Sequence, residues 1–132
     1  MLVCLDTSVI IALIRRDQKA VEKLREAVAS RRRVSTTVVS LCELYAGAYG
    51  SRDPMRELEK VQGLASLLDV LHFGVNVAKK YGELANSQSM KGKPIGDFDM
   101  IIASTSLLNE EPLATRDVEH FSRVPGLEVE VW

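Results

Sequence analysis

Met1-Leu2-Val3-Cys4-Leu5-Asp6-Thr7-Ser8-Val9-Ile10-Ile11-Ala12-Leu13-Ile14 sets two apolar runs on either side of three polar residues. Met1 to Leu5 is short and wholly apolar, which predicts a buried strand ending at Asp6. Thr7 or Ser8 can cap the next segment, and Val9 to Arg15 reads as a helix. The interruption also matters for location. A membrane span needs about 20 apolar residues, and no basic stretch precedes the first run as a secretory signal requires.

The same strand-then-helix unit recurs along the chain. Gln18 to Ser30 has helical apolar spacing, closed by Arg31, Arg32 and Arg33, whose charge suits a helix C-terminus. Val34 and Ser35 form a brief strand before a helix over Thr37 to Tyr49. Its apolar stripe is Val38, Leu41, Cys42, Tyr45, Ala46 and Tyr49. Asp53 caps a helix to Leu68, with Pro54 at its first position. A strand over Asp69 to Phe73 and a helix over Val75 to Ser89 follow. Met90 to Gly96 is a loop, Asp97 to Leu108 a helix, and Pro112 to Ala114 a buried strand. Asp117 to Phe121 is a helical turn, and Leu127 to Val131 an edge strand. Alternating strands and helices predict a three-layer α/β/α sandwich around a mostly parallel central sheet.

At 132 residues and 14.6 kDa, the chain is expected to form one domain over residues 1–132. With 46% hydrophobic and 27% charged residues it has the composition of a folded globular protein, which excludes whole-chain disorder. Lys and Arg total 17 against 18 Asp and Glu, a balance unlike that of a generic basic nucleic-acid binder. Cys4 and Cys42 both lie in apolar segments and form no C-x-x-C pair. They read as buried, reduced thiols of a cytoplasmic protein. No zinc spacing, phosphate-binding glycine loop or serine-hydrolase elbow is present.

Chemistry is expected at the C-terminal ends of parallel strands. Asp6 and Asp117 fall there. Glu43 borders an apolar helical stripe, and Asp99 lies in the most apolar helix. Each acid has a plain structural reading: helix cap for Asp6, ion-paired rim residue for Glu43, first-turn acid for Asp99, turn residue for Asp117. Four carboxylates brought together repel one another unless a cation sits among them. An all-oxygen donor set suits Mg²⁺ or Mn²⁺, which points to metal-dependent phosphoryl chemistry. His72 and His120 are assigned structural or surface roles.

At these residues the sequence resembles the PIN-domain nucleases. Val3-Cys4-Leu5-Asp6-Thr7-Ser8-Val9-Ile10 is similar to their first motif, and Val39-Ser40-Leu41-Cys42-Glu43-Leu44-Tyr45-Ala46-Gly47 to the second. Pro94-Ile95-Gly96-Asp97-Phe98-Asp99-Met100-Ile101-Ile102-Ala103 is similar to the third. Ala114-Thr115-Arg116-Asp117 with His120-Phe121 and Val124-Pro125-Gly126-Leu127 is similar to the fourth. Order and size resemble the VapC toxins of type II toxin–antitoxin systems.

The resemblance implies a PIN-like fold and an endoribonuclease that cuts RNA phosphodiesters with Mg²⁺ or Mn²⁺. Asp6, Glu43 and Asp99 fall on the family's metal-binding acids and Asp117 on its fourth acidic position, with Thr7 and Thr115 as supporting hydroxyls. Asp97 competes with Asp99 for the third motif. Residues two apart on a helix diverge by about 200°, so Asp99 is preferred and Asp97 is read as the cap after Gly96. Arg116, Lys91 and Lys93 are expected to hold the RNA backbone, with Arg15 and Arg16 nearby. The family further implies a VapB-like antitoxin and a homodimer or higher assembly. Tyr45, Tyr49, Leu58, Val61 and Leu64 are candidate antitoxin contacts, with core packing as the competing reading. A PIN nuclease of RNA processing, without an antitoxin, is a second reading. A Mg²⁺-binding receiver domain of signalling is a third; it lacks support, because no Lys follows Lys93 and Val34-Ser35 leads into Thr36-Thr37.

Overall fold

Strand β1 (Leu2–Leu5) lies at the centre of the molecule. The computed structural model describes residues 1–132. β1 is followed by α1 (Thr7–Ile14), α2 (Gln18–Ala29), β2 (Arg33–Thr37), α3 (Val38–Tyr49) and α4 (Pro54–Ala65). Then come β3 (Asp69–Leu71), α5 (Val75–Ala85), α6 (Gln88–Lys91), α7 (Asp97–Leu108), β4 (Leu113–Thr115), α8 (Val118–Phe121) and β5 (Val129–Val131). The strands form one sheet in the order β3-β2-β1-β4-β5, and every pairing is parallel.

Alternation along the strands separates two cores. Val3, Leu5, Val34 and Ala114 face α1, α2, α3 and α4, where Val9, Ile10, Leu13, Leu44 and Val61 fill the layer. Cys4 and Leu113 face the opposite way, onto Ile102, Ala103, Leu84, Met90 and Phe121. The result is the expected three-layer α/β/α sandwich. Burial, then the neighbouring Glu111 carboxylate, pushes the Cys4 thiol up to about 12, so it stays protonated and unreactive. Cys42 differs from expectation and is exposed. Helix α3 is rotated from the expected stripe: Val39, Leu44 and Ala48 are buried, while Cys42, Ala46 and Tyr49 face outward. Val61 is buried, and Tyr45, Leu58 and Leu64 pack against the same core. Of the five apolar residues expected to contact a partner, only Tyr49 is exposed.

Other boundaries shift for local reasons. Asp6, not Thr7 or Ser8, caps α1: its carboxylate accepts the Val9 N–H at 3.0 Å. Thr37 ends β2 and caps α3 through Ser40 N–H at 3.0 Å, instead of opening the helix. Gly96, not Asp97, occupies the cap of α7, and Asp97 instead accepts the Tyr81 hydroxyl at 3.0 Å. The expected loop 90–96 contains the end of α6, and its Met90 and Ile95 are buried.

Helices α1, α2 and α7 end in one pattern. Arg16, Arg31 and Glu110 adopt positive φ of 57°, 59° and 55°. In each case that residue's N–H bonds back to a carbonyl three residues earlier, and the next N–H to one five residues earlier, as in a Schellman turn. Arg31 therefore closes α2 by backbone geometry rather than by its charge. Arg32 turns away to clamp Glu130 through two guanidinium bonds of 3.0 and 2.6 Å, which tie the end of α2 to β5. Left-handed backbone disfavours any side chain at Arg31 by about 1 kcal/mol. Arg31→Gly is expected to raise stability by about 0.5 kcal/mol after the added unfolded-chain entropy of glycine. A urea midpoint that moves up supports this account, and one that moves down contradicts it.

Candidate active site

The chain runs outward from β1 to β2 and β3, then returns to β4 on the other side of β1. The C-terminal ends of β1 and β4 thus flank the point where strand order reverses, the usual place for a ligand crevice. Asp6 directly follows β1, and Thr115 is the last residue of β4.

Asp6 is only 3% exposed and is held on both oxygens. Oδ1 accepts the Ser8 hydroxyl at 2.6 Å and the Val9 N–H, and Oδ2 accepts the Thr115 hydroxyl. Thr115 Oγ1 in turn accepts the Asp117 N–H at 2.9 Å, so one threonine joins two acids. Glu43, on α3, is oriented by the Thr7 hydroxyl at 2.6 Å from Oε1. Both expected supporting threonines therefore bind carboxylates. Asp117, just before α8, lies 2.7 Å from His120 Nδ1 through Oδ2.

Asp99 enters from the first turn of α7. It is half-buried, and no donor of the chain bonds its carboxylate. Burial raises its pKa first, then the like charges of Glu43, Asp117 and Asp6, with His120 acting in the opposite sense. Burial likewise raises Asp6, the dominant cause, and Asp117 adds to it; the bonds from Ser8, Thr115 and Val9 pull the other way. All four sequence-selected acids are thus electrostatic neighbours. Asp97 is not among them: it is exposed and paired with Tyr81.

Ligand atoms of Asp99, Asp117 and His120 all lie within 4.8 Å of one another, close enough to share one cation, whereas Asp6 and Glu43 stand outside that group. The donor set fits a hard divalent ion. It is mostly carboxylate oxygen, it concentrates negative charge, and Asp99 has no internal counter-donor. His120 was expected at a structural or surface position, yet it joins this cluster. Its spacing of three from Asp117 on one helical turn was the available signal. Ser8, a cap candidate in the sequence, instead donates its hydroxyl to Asp6 Oδ1.

The basic residues are distributed unevenly. Arg116 lies between Thr115 and Asp117, its N–H donates to Ser8 Oγ at 3.1 Å, and its guanidinium pairs with Asp17. Lys91 and Lys93 are exposed at the end of α6 and just beyond it, leading into α7. Between α1, α3 and α4 lies a groove of about 440 Å³ whose lining includes Glu43 beside Ile11, Leu44, Ala48 and Val61. No helix of the chain is long and apolar enough to cross a membrane.

Comparison with known proteins bears on this arrangement. A model of the PIN domain matches residues 3–127. The chain is 30% identical over 128 residues to the tRNA(fMet)-specific endonuclease VapC of Salmonella typhimurium, spanning 97% of this chain and 96% of that protein. It is 28% identical over 132 residues to ribonuclease VapC1 of Haemophilus influenzae, spanning 100% of this chain and 98% of the relative. Among solved structures, VapBC2 from Rickettsia felis bound to a promoter DNA fragment matches with a TM-score of 0.92 at 26% identity, covering 100% of this chain and 99% of that one. DNA-bound VapBC from Salmonella typhimurium matches with a TM-score of 0.91 at 30% identity, covering 100% and 99%.

Proposed function

The chain belongs to the PIN-domain family, and from that premise we propose that residues 1–132 act as one endoribonuclease domain, the toxin of a type II toxin–antitoxin pair. The observation that carries the reading is Asp99: a half-buried carboxylate without a hydrogen-bond donor, facing Glu43, Asp117 and Asp6. Such a group is tolerated where a cation completes it.

Asp99, Asp117 and His120, which lie within sharing distance of one another, would hold Mg²⁺ or Mn²⁺, with Asp6 and Glu43, the other two selected acids, adding negative charge beside them. A bound divalent ion supplies Lewis-acid stabilisation of phosphoryl charge and lowers the pKa of water. The chain's own groups prepare the geometry. Ser8 and Thr115 fix both Asp6 oxygens, and Thr7 fixes one Glu43 oxygen, which leaves Glu43 Oε2 without a donor of the chain. Asp117, tethered by its N–H to Thr115, orients the attacking water. Water oxygen bonds to phosphorus while the bond to O3′ breaks, leaving a 5′-phosphate and a 3′-hydroxyl. Arg116, Lys91 and Lys93 contact RNA backbone phosphates.

The Salmonella typhimurium relative is named a tRNA(fMet)-specific endonuclease, which makes tRNA a substrate to test here. A VapB-like antitoxin is proposed to cover the α1–α3–α4 groove, whose lining includes Glu43, one of the four acids. A homodimer or higher assembly in the cytoplasm is proposed with it. The test is digestion of total RNA with Mg²⁺ or Mn²⁺ beside Asp6→Asn, with both ends of each product mapped. Asn retains the cap on α1 through Oδ1 but cannot accept the Thr115 hydroxyl at its NH2 group, so folding of the variant is checked by circular dichroism alongside. Discrete cuts with 5′-phosphate ends, absent from Asp6→Asn, support the reading. Cuts by Asp6→Asn at the wild-type rate contradict it.

A further inference from the structure

We propose that the cleft between α1 and the β4–α8 turn binds an RNA backbone phosphate flanking the cut, and that Asp17 competes with RNA for that position. The cleft measures about 310 Å³ and is lined by Ser8, Ile11, Ala12, Arg15, Asp17 and Arg116. The inference rests on the ribonuclease reading and adds to it a subsite and an internal competitor.

Arg116 is anchored at its base. Its neighbours Thr115 and Asp117 belong to the acidic site, and its N–H bonds Ser8, which itself donates to Asp6. The guanidinium is therefore held beside the reacting centre, and it turns into the cleft rather than toward the acids. There it meets the Asp17 carboxylate. Arg15, exposed, brings a second cation to the same cleft. A planar guanidinium matches a phosphate's oxygens as it matches a carboxylate's.

Asp17 caps α2 by accepting the Ala20 N–H at 3.1 Å. Capping alone needs no charge, since Asn or Ser performs it equally well. The charge of Asp17 instead serves the pair with Arg116. Both side chains are about one-third exposed, at 37% and 36%, so an incoming anion reaches the guanidinium. An exposed ion pair is weak, and exchanging its carboxylate for a phosphate costs little. Asp17 thus limits how tightly the free enzyme holds RNA.

The test measures binding of fluorescently labelled bulk tRNA in EDTA, where cleavage is suppressed. Asp17→Asn keeps the cap and is expected to bind about 5-fold tighter, the effect of one exposed charge pair. Its salt dependence should steepen by about one counterion. Arg116→Gln should weaken binding, and Asp17→Asn with Arg116→Gln should show no gain over Arg116→Gln alone. If Asp17→Asn is unfolded at the assay temperature, Asp17→Ser supplies the same cap and the same comparison. Unchanged or weaker binding by the folded variant overturns the proposal. So does a gain that persists in the double variant, because the effect would then be general loss of negative charge. Wild-type cleavage of total RNA with Mg²⁺ or Mn²⁺ separates the two levels. Cleavage without the Asp17→Asn gain overturns the subsite alone, whereas no cleavage with either cation overturns the ribonuclease reading.

Discussion

Asp99→Asn is expected to cut RNA cleavage by about 10³-fold or more, a loss of roughly 4 kcal/mol of transition-state stabilisation. The same substitution should raise the melting temperature of the cation-free protein. Asp99 is disfavoured by burial and by three neighbouring acids, and nothing in the chain bonds its carboxylate. Replacing it with a neutral residue of the same shape relieves that repulsion, and about 1 kcal/mol of added stability is a typical size for such a change. Activity and stability therefore move in opposite directions. Circular dichroism melts in EDTA, beside a tRNA cleavage assay in Mn²⁺, read both. A variant that cuts RNA like wild type removes Asp99 from the mechanism. A variant that is inactive because it melts lower than wild type contradicts the repulsion argument.

The second large effect is a cation-dependent shift in how stability follows pH. Burial raises the folded-state pKa of Asp6, Asp99 and Glu111 above their unfolded values. The folded protein then binds protons more tightly than the unfolded chain, so keeping these groups charged is a cost. That cost is full above the folded pKa values and vanishes below the unfolded values near pH 4. Asp17 and Glu130 act oppositely: hydrogen bonds, from Ala20 N–H and Arg116 to Asp17 and from Arg32 to Glu130, lower them. Their stabilisation is lost as pH falls through those lowered values. In EDTA the melting temperature is expected to rise as pH falls from 7.5 through the raised values of Asp6, Asp99 and Glu111, and to fall once pH drops through the lowered values of Asp17 and Glu130. Mn²⁺ at 100 times its dissociation constant should add about 2.7 kcal/mol at pH 7.5, a rise of roughly 8–15 °C for a chain of this size. The gain should shrink toward pH 5 as protons compete for the acids. A Mn²⁺ effect that does not depend on pH contradicts this linkage.

The parts of the site visible in the sequence were those set by local position. Asp6 had to follow a buried strand. Asp99 sat in an apolar helix where a carboxylate needs a reason. The layered parallel fold followed from strands alternating with helices. The unseen parts depend on long-range pairing. Thr115 is identified as a supporting hydroxyl only through the family resemblance, since it reaches Asp6 across 109 residues, and Arg116 meets Asp17 across 99. No spacing rule connects such positions before the sheet brings β1 and β4 together. The rotation of α3 is hidden in the sequence for a different reason. Cys42, Ala46 and Tyr49 are apolar enough to extend the stripe, but the sheet and α4 accept only the face carrying Leu44 and Ala48. Asp6 carried two readings, helix cap and metal ligand. The structure shows it capping α1 while the rest of its carboxylate borders the acidic cluster.

Mn²⁺ titration of the protein at pH 7.5, followed by the electron paramagnetic resonance signal of the free ion, tests most directly whether these acids form a cation site. Wild type is expected to deplete the signal saturably, and Asp99→Asn to bind at least about 10-fold more weakly, the loss typical of a disrupted metal site. Equal depletion by the two proteins, or none by wild type, would contradict the assignment of Asp6, Glu43, Asp99 and Asp117 to a metal centre.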